Sequence, residues 1–213
     1  ALERIALLRD SRPNSVAVDR LEGEVLLAVD RPGAALTLLE KAHEARPDAD
    51  TAHALYRAYK KLGDPQEGVS ALLRWAQREG ANDVSALRLV ADAYLETGDH
   101  SGALEQYRAI VAHDPEDVSA LNNLAWLQQT LGRAEALANA RRAHELAPTS
   151  SAVLDTLGWV LLEQGRPAEA LSYLRQAQVR AAHNPMVGYH LALALAALNR
   201  PDEAARELER VLA

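Results

Sequence analysis

Cysteine and phenylalanine are absent from the 213 residues, methionine occurs once, and aromatic residues make up only 4%. Without a thiol the chain has no disulfide, no thiolate nucleophile and no cysteine metal ligand, a composition that fits a reducing and an oxidising compartment equally. A basic excess is also missing. The 23 Lys and Arg stand against 30 Asp and Glu, the formal charge is −7, and no cationic run exceeds two residues, so the basic stripe that nucleic-acid phosphates require is excluded. The longest nearly apolar run, Met186 to Leu198, is interrupted by Tyr189 and His190 and is too short to span a bilayer. No secretory signal pattern is visible,.

Signatures of catalysis are equally scarce. The histidines His43, His53, His100, His113, His144, His183 and His190 never pair at i, i+4 around an acid, as a zinc-protease helix needs, and phosphate loops, nucleophile elbows and calcium loops are missing,. Carboxylate pairs such as Glu116 and Asp117 fall between helical segments, where capping of the next helix is the expected role. No catalytic residue, metal site or cofactor is expected.

What the chain does have is self-similarity. Leu121-Asn-Asn-Leu-Ala-Trp126 falls over Leu154-Asp-Thr-Leu-Gly-Trp159, and Tyr94 to Asp99 falls over Leu161 to Arg166. A period in the thirties with two helix-length segments per unit belongs to helix-turn-helix arrays, not to propellers or leucine-rich horseshoes. In a frame of about 34 positions counted from Val84, Leu87 falls at position 4, Ala91 at 8, Tyr94 at 11, Gly98 at 15, Ala103 at 20, Tyr107 at 24 and Pro115 at 32. From Ser151 the same places hold Leu154, Gly158, Leu161, Gly165, Ala170 and Leu174; the unit from Val118 lacks one turn residue. Small residues at positions 8, 20 and 27 let paired helices approach closely, and large apolar residues at 4, 7, 11 and 24 fill the remaining space. The unit from Ala49 breaks this rule by placing Tyr56, Gly68 and Trp75 at the small positions, through a register slip of one residue or a looser packing.

Prolines give an independent check on the frame. Pro32, Pro65, Pro167 and Pro201 sit two residues past each glycine-type turn, where a first-turn helical site tolerates a missing N–H,. Pro13, Pro47, Pro115, Pro148 and Pro185 fall where second helices should end. Apolar residues in between recur at three and four, as in Leu121, Leu124, Leu127 and Leu131,. Strand alternation and hairpin turns are missing.

These positions resemble the tetratricopeptide repeat (TPR) over nearly the whole chain. The resemblance implies an all-α fold, a right-handed α-solenoid of stacked antiparallel helix pairs, with about thirteen helices. We expect a single domain over 1–213, opened by an orphan second helix in 1–15 and followed by repeats at about 16–48, 49–83, 84–117, 118–150, 151–184 and an incomplete 185–213. An array that opens and closes mid-pattern suggests an excised piece of a longer one.

TPR resemblance also implies that first helices line a concave groove through positions 2, 5, 6, 9, 12 and 13. The groove residues are then Arg88 and Asp92, Asn122, Asn123 and Trp126, Asp155, Thr156 and Trp159, and Tyr189 and His190. Trp126 and Trp159 share position 9 and should meet on the inner wall, as a ligand platform or as core packed sideways between first helices. Arg20, His53, Arg57, Lys60 and Lys61 make the earlier repeats more basic on that face. The chaperone-tail clamp of some TPR proteins is rejected, because its pattern laid on Arg88, Asp92, Asn123, Ala152 and Thr156 loses two cationic positions and makes one acidic. The expected partner is a protein or peptide, with a polysaccharide stacked on Trp126, Trp159 and Tyr189 as the alternative. End-to-end self-association through Leu7, Leu8, Leu208 and Leu212 is a third option. The phrases around Trp126 and Trp159 also resemble bacterial TPR lipoproteins of exosortase and exopolysaccharide systems, which implies a periplasmic or envelope setting; a cytoplasmic adaptor is the alternative.

Overall fold

The structure, a computed structural model, describes residues 2–79 and 83–212. Among them the chain forms thirteen α-helices and no strand: α1 (Leu2–Ser11), α2 (Val16–Ala28), α3 (Pro32–Ala45), α4 (Ala49–Lys61), α5 (Pro65–Glu79), α6 (Val84–Glu96), α7 (His100–His113), α8 (Val118–Thr130), α9 (Ala136–Leu146), α10 (Ser151–Glu163), α11 (Pro167–Arg180), α12 (Pro185–Ala197) and α13 (Pro201–Leu212). The even-numbered helices through α12 are the first helices of successive TPR-type pairs.

Local chemistry sets the starts and stops. The Asp48, Asp117 and Asn184 side chains accept from the backbone N–H groups of Thr51, Ala120 and Met186 at 2.8, 2.8 and 3.0 Å, capping α4, α8 and α12,. First helices end on a left-handed residue at position 15: Gly63, Gly98, Gly132 and Gly165 have φ between 66° and 87°, and Asp30 and Asn199 take the same place at φ 59°. At Gly165 the turn is closed by Arg166 N–H donating to the Leu161 carbonyl at 2.9 Å, a Schellman bond. Pro32, Pro65, Pro167 and Pro201 then open second helices; Pro185 follows the N-cap Asn184 and opens the first helix α12 instead of trailing α11, which ends at Arg180. Left-handed backbone carries a steric penalty at Asn that Gly lacks. Asn199→Gly should therefore raise stability by about 0.5 kcal/mol, read as a higher urea midpoint; an unchanged or lower midpoint contradicts this account of the turn.

The described residues form two compact units, 1–106 and 107–213. In 1–106, α2 pairs with α3 and α4 with α5, while α3 packs on α4 and α5 on α6. In 107–213, α8 pairs with α9, α10 with α11 and α12 with α13, and the first helices α8, α10 and α12 lie side by side.

Close approach within a pair rests on position 8. A Cβ on Gly158 would stand 2.6 Å from Leu174 Cγ, and one on Gly23 would stand 2.6 Å from Leu39 Cγ. Leu174 and Leu39 occupy position 24 and are fully buried. The repeat from Ala49 keeps the register and exchanges the sizes. Tyr56 fills position 8 and is buried, and the missing side chain moves to Gly68 at position 20, where a Cβ would come within 3.0 Å of Tyr56.

Position 4 of the first full repeat holds Asp19 instead of an apolar residue. Its carboxylate is almost wholly buried, 2.7 Å from Arg9 on α1 and 2.9 Å from Lys41 on α3; Arg9 also binds Glu22 at 2.6 Å. Burial pushes the Asp19 carboxyl up, but the Lys41 ammonium and Arg9 guanidinium outweigh it and hold the group below the usual aspartate range. A depressed carboxyl stabilises the fold above its unfolded value of about 3.9 and loses that contribution as pH falls through the folded value. Asp19→Ala should cost about 1–2 kcal/mol by removing two charge-assisted contacts, with Arg9 keeping Glu22 and Lys41 returning to water,, and should shrink the loss of stability seen on acidification below pH of about 4. Urea denaturation at neutral and acid pH tests this: an equal acid loss in the variant removes Asp19 from the explanation.

Candidate functional site

In residues 107–213 the side-by-side first helices carry an aromatic ladder. Trp126 on α8 and Trp159 on α10 have ring centroids 6.3 Å apart, tilted by 33°. His190 on α12 continues it, stacked on Trp159 at 5.9 Å and 18°, with Tyr189 beside it at 6.0 Å. His190 Nδ1 lies 2.9 Å from Asp155 Oδ1, so α12 is tied to α10 through a polar contact as well as the stack. Both indoles are half-buried. Trp159 packs in part against the core around Leu157, Leu161 and Leu191, and the rest of each ring system stays open. Of the two roles set against each other from the sequence, the core contact is present at Trp159.

Depth follows position within the repeat. Residues at position 6 turn between neighbouring helices: Thr156 and His190 are buried, and half-buried Asn123 donates from Nδ2 to the hydroxyl of buried Tyr107 at 2.8 Å. At position 5, Asn122 and Asp155 are half-buried, the Asn122 Oδ1 being buried without a hydrogen-bond partner among the described residues, and Tyr189 is 47% exposed, with Met186 near it 55% exposed. A buried polar pair that periodicity does not reveal, Asn139 Nδ2 donating to Gln128 Oε1 at 2.8 Å, links α9 to α8 at an otherwise apolar position 11.

Charge separates this face from its counterpart in residues 1–106. The helices α8, α10 and α12 contain no Lys or Arg. In 1–106 three of the cations on first helices are answered by carboxylates of neighbouring elements: Arg20 binds Asp50 at 2.5 Å, Lys60 binds Glu96 at 2.8 Å and Lys61 binds Asp30 at 2.7 Å. Glu96 also accepts from the Tyr56 hydroxyl. Lys60, and then Tyr56, hold the Glu96 carboxyl below its usual range. Arg88 is half-buried and Asp92 exposed on α6 of this unit, whereas the other groove residues expected from the sequence lie in 107–213. Leu7, Leu8, Leu208 and Leu212 are exposed.

Among the described residues no group of three or more His, Asp or Glu could hold a metal ion, and no helix is long and apolar enough to cross a membrane. What the ladder offers chemically is recognition: flat, partly desolvated rings with polar groups at fixed distances.

Comparison with known proteins adds lineage to this geometry. Two sequence models of the tetratricopeptide repeat match residues 53–118 and 91–151, and 161–213. A TPR repeat-containing protein of Pseudomonas aeruginosa is 29% identical over 160 residues, which is 74% of this chain and 27% of that protein; the chain thus spans about a quarter of its relative. Among solved structures, a tetratricopeptide repeat protein from Parabacteroides merdae aligns with a TM-score of 0.77 at 15% identity, over 92% of this chain and 78% of that one. A MamA structure aligns with a TM-score of 0.61 at 23% identity, over 79% and 93%. At these identities the structural likeness speaks to the fold.

Proposed function

We propose, since this chain belongs to the tetratricopeptide repeat family, that it is a non-catalytic scaffold for protein–protein interaction and that it seats a peptide or helix of its partner on the α8, α10 and α12 face. The observation that carries this reading is the Trp126, Trp159 and His190 ladder on first helices without cations. Half-buried indoles held against each other and, at Trp159, against the core are already ordered, so little side-chain freedom is lost when a partner covers the remainder, and amphipathic aromatics of this kind supply most of the energy at binding hot spots. Tyr189 and the half-buried Asn122 and Asp155 would orient the bound segment, while Asn123, Thr156 and His190 hold the helices that carry them.

Sugar rings stack on aromatic faces as well, and the same ladder supports a glycan-binding module as the second reading. Titration of the chain with exopolysaccharide from its source organism, followed by tryptophan fluorescence, separates the two. A protein partner captured by the wild-type chain and lost with Trp126→Ala/Trp159→Ala, with no fluorescence response at millimolar sugar, supports the scaffold; a saturating response to sugar replaces it with the glycan module. The setting we propose is a bacterial envelope assembly, on the likeness of the phrases around Trp126 and Trp159 to envelope TPR lipoproteins. Recovery of the full-length protein in the cytoplasmic fraction overturns that setting and leaves the scaffold reading intact.

A further inference from the structure

We infer that the segment seated on this face is basic, with an arginine or lysine side chain set against the part of the Trp159 indole that His190 and Trp126 leave exposed, between Asp155 and Glu163. This rests on the binding role proposed above. On α10, Asp155, Trp159 and Glu163 follow one another at i, i+4 and i+8, so they line one side of the helix with neighbouring Cβ atoms about 5–6 Å apart. Indole is the aromatic ring that attracts cations most strongly. Here it has a carboxylate one turn to either side, and no Lys or Arg anywhere on α8, α10 or α12 competes for it. Asp155 is held in direction by His190, 2.9 Å away through Oδ1. Glu163 is exposed.

Cations bordering the face in the turns that follow these helices are mostly engaged. Arg166 is gripped by Glu169 at 2.6 and 2.7 Å, and Arg200 by Glu203 at the same distances; Arg133, exposed after α8, remains. A basic side chain at the exposed part of Trp159 meets two carboxylates and the indole together. An acidic segment in the same place would bring a third negative charge between Asp155 and Glu163, a juxtaposition that disfavours it.

The test is selection without a presumed sequence. A random peptide library is panned on the whole chain, and the selected peptides are synthesised and titrated against wild type, Trp126→Ala/Trp159→Ala and Glu163→Lys by tryptophan fluorescence and calorimetry. The selected peptides should carry net positive charge with at least one Arg or Lys. They should lose about 100-fold or more in affinity with the double variant and about threefold with Glu163→Lys, and weaken as salt rises from about 50 to 500 mM. Glu163 is exposed, so its charge reversal leaves the fold intact and keeps the test independent of any packing effect at the tryptophans. Peptides that need the tryptophans yet are neutral or acidic overturn the basic partner and leave the binding face standing. Peptides indifferent to both variants, or no enrichment at all, overturn the binding face and this inference with it.

Discussion

Replacing Trp126 and Trp159 together by alanine will reduce partner affinity by about 100-fold or more, since two neighbouring aromatic anchors of about 2 kcal/mol each are removed from one contact surface. The same change will lower stability, because Trp159 packs partly against the core and truncating even half-buried indoles costs about 2–4 kcal/mol. Melting and binding must therefore be read side by side. Circular dichroism should show a helical protein with a reduced Tm, and calorimetry below that Tm should show the binding loss. Trp75→Phe is the matched control. Trp75 is buried in the 1–106 unit and its Nε1 has no hydrogen-bond partner, so binding should be unchanged. A double variant that melts early yet binds its partner as tightly as wild type assigns both indoles to the core alone.

Gly158→Leu will destabilise the chain by at least about 3 kcal/mol. Position 158 is mid-helix, where helix propensity alone predicts a gain of nearly 1 kcal/mol over glycine. Packing opposes it: a Cβ there stands 2.6 Å from Leu174 Cγ and 3.3 Å from the Ala170 carbonyl, and Leu174 is fully buried with no room to withdraw. Overpacking of this kind costs about 1–3 kcal/mol for a methyl or two and more for a branched side chain. Gly158→Ala is the discriminating version, since propensity and packing give it opposite signs; it should destabilise by about 1 kcal/mol. Combining it with Leu174→Ala should give less than the sum of the single losses, because the second change opens the space the first one needs. Urea midpoints for the four species settle the sign, and a more stable Gly158→Ala contradicts the close-approach account.

The repeat frame could be read from the sequence because the features that define it are local. A left-handed residue every repeat, a proline two places later, an Asp or Asn before the next helix and apolar residues at three and four are each dictated by backbone geometry within a few residues. The same reading placed Trp126 and Trp159 at one position of neighbouring repeats, and they lie 6.3 Å apart. What the frame did not convey is depth. Asn123, Thr156 and His190 share position 6, and a helical wheel puts them on the groove side, but the close spacing of α8, α10 and α12 buries Thr156 and His190, with His190 meeting Asp155, while Asn123 turns to Tyr107 on α7. Burial at such a position depends on the distance between helices, which no single helix encodes.

Compensated exceptions were hidden for a related reason. Tyr56 at a small position is tolerable only because Gly68, 12 residues later, gives up its side chain. Asp19 at an apolar position is tolerable only because Arg9 and Lys41 arrive from two other helices. Each half of such a pair looks like an error until the partner is in place. The contrast between the two first-helix faces was partly visible: the cations of Arg20, Lys60 and Lys61 stand out in the sequence, but the carboxylates that answer them come from other elements.

The three tryptophans of the chain allow the central claim to be tested in one titration, because each contributes one indole N–H resonance and only Trp126 and Trp159 belong to the ladder. Single Trp→Phe variants assign the three signals, and a selected peptide is then added to the isotope-labelled whole chain. Shifts of the Trp126 and Trp159 resonances that saturate together, with the Trp75 resonance unmoved, are the predicted result. Saturable binding that shifts Trp75 alone, or none of the three, contradicts a partner seated on the α8, α10 and α12 face.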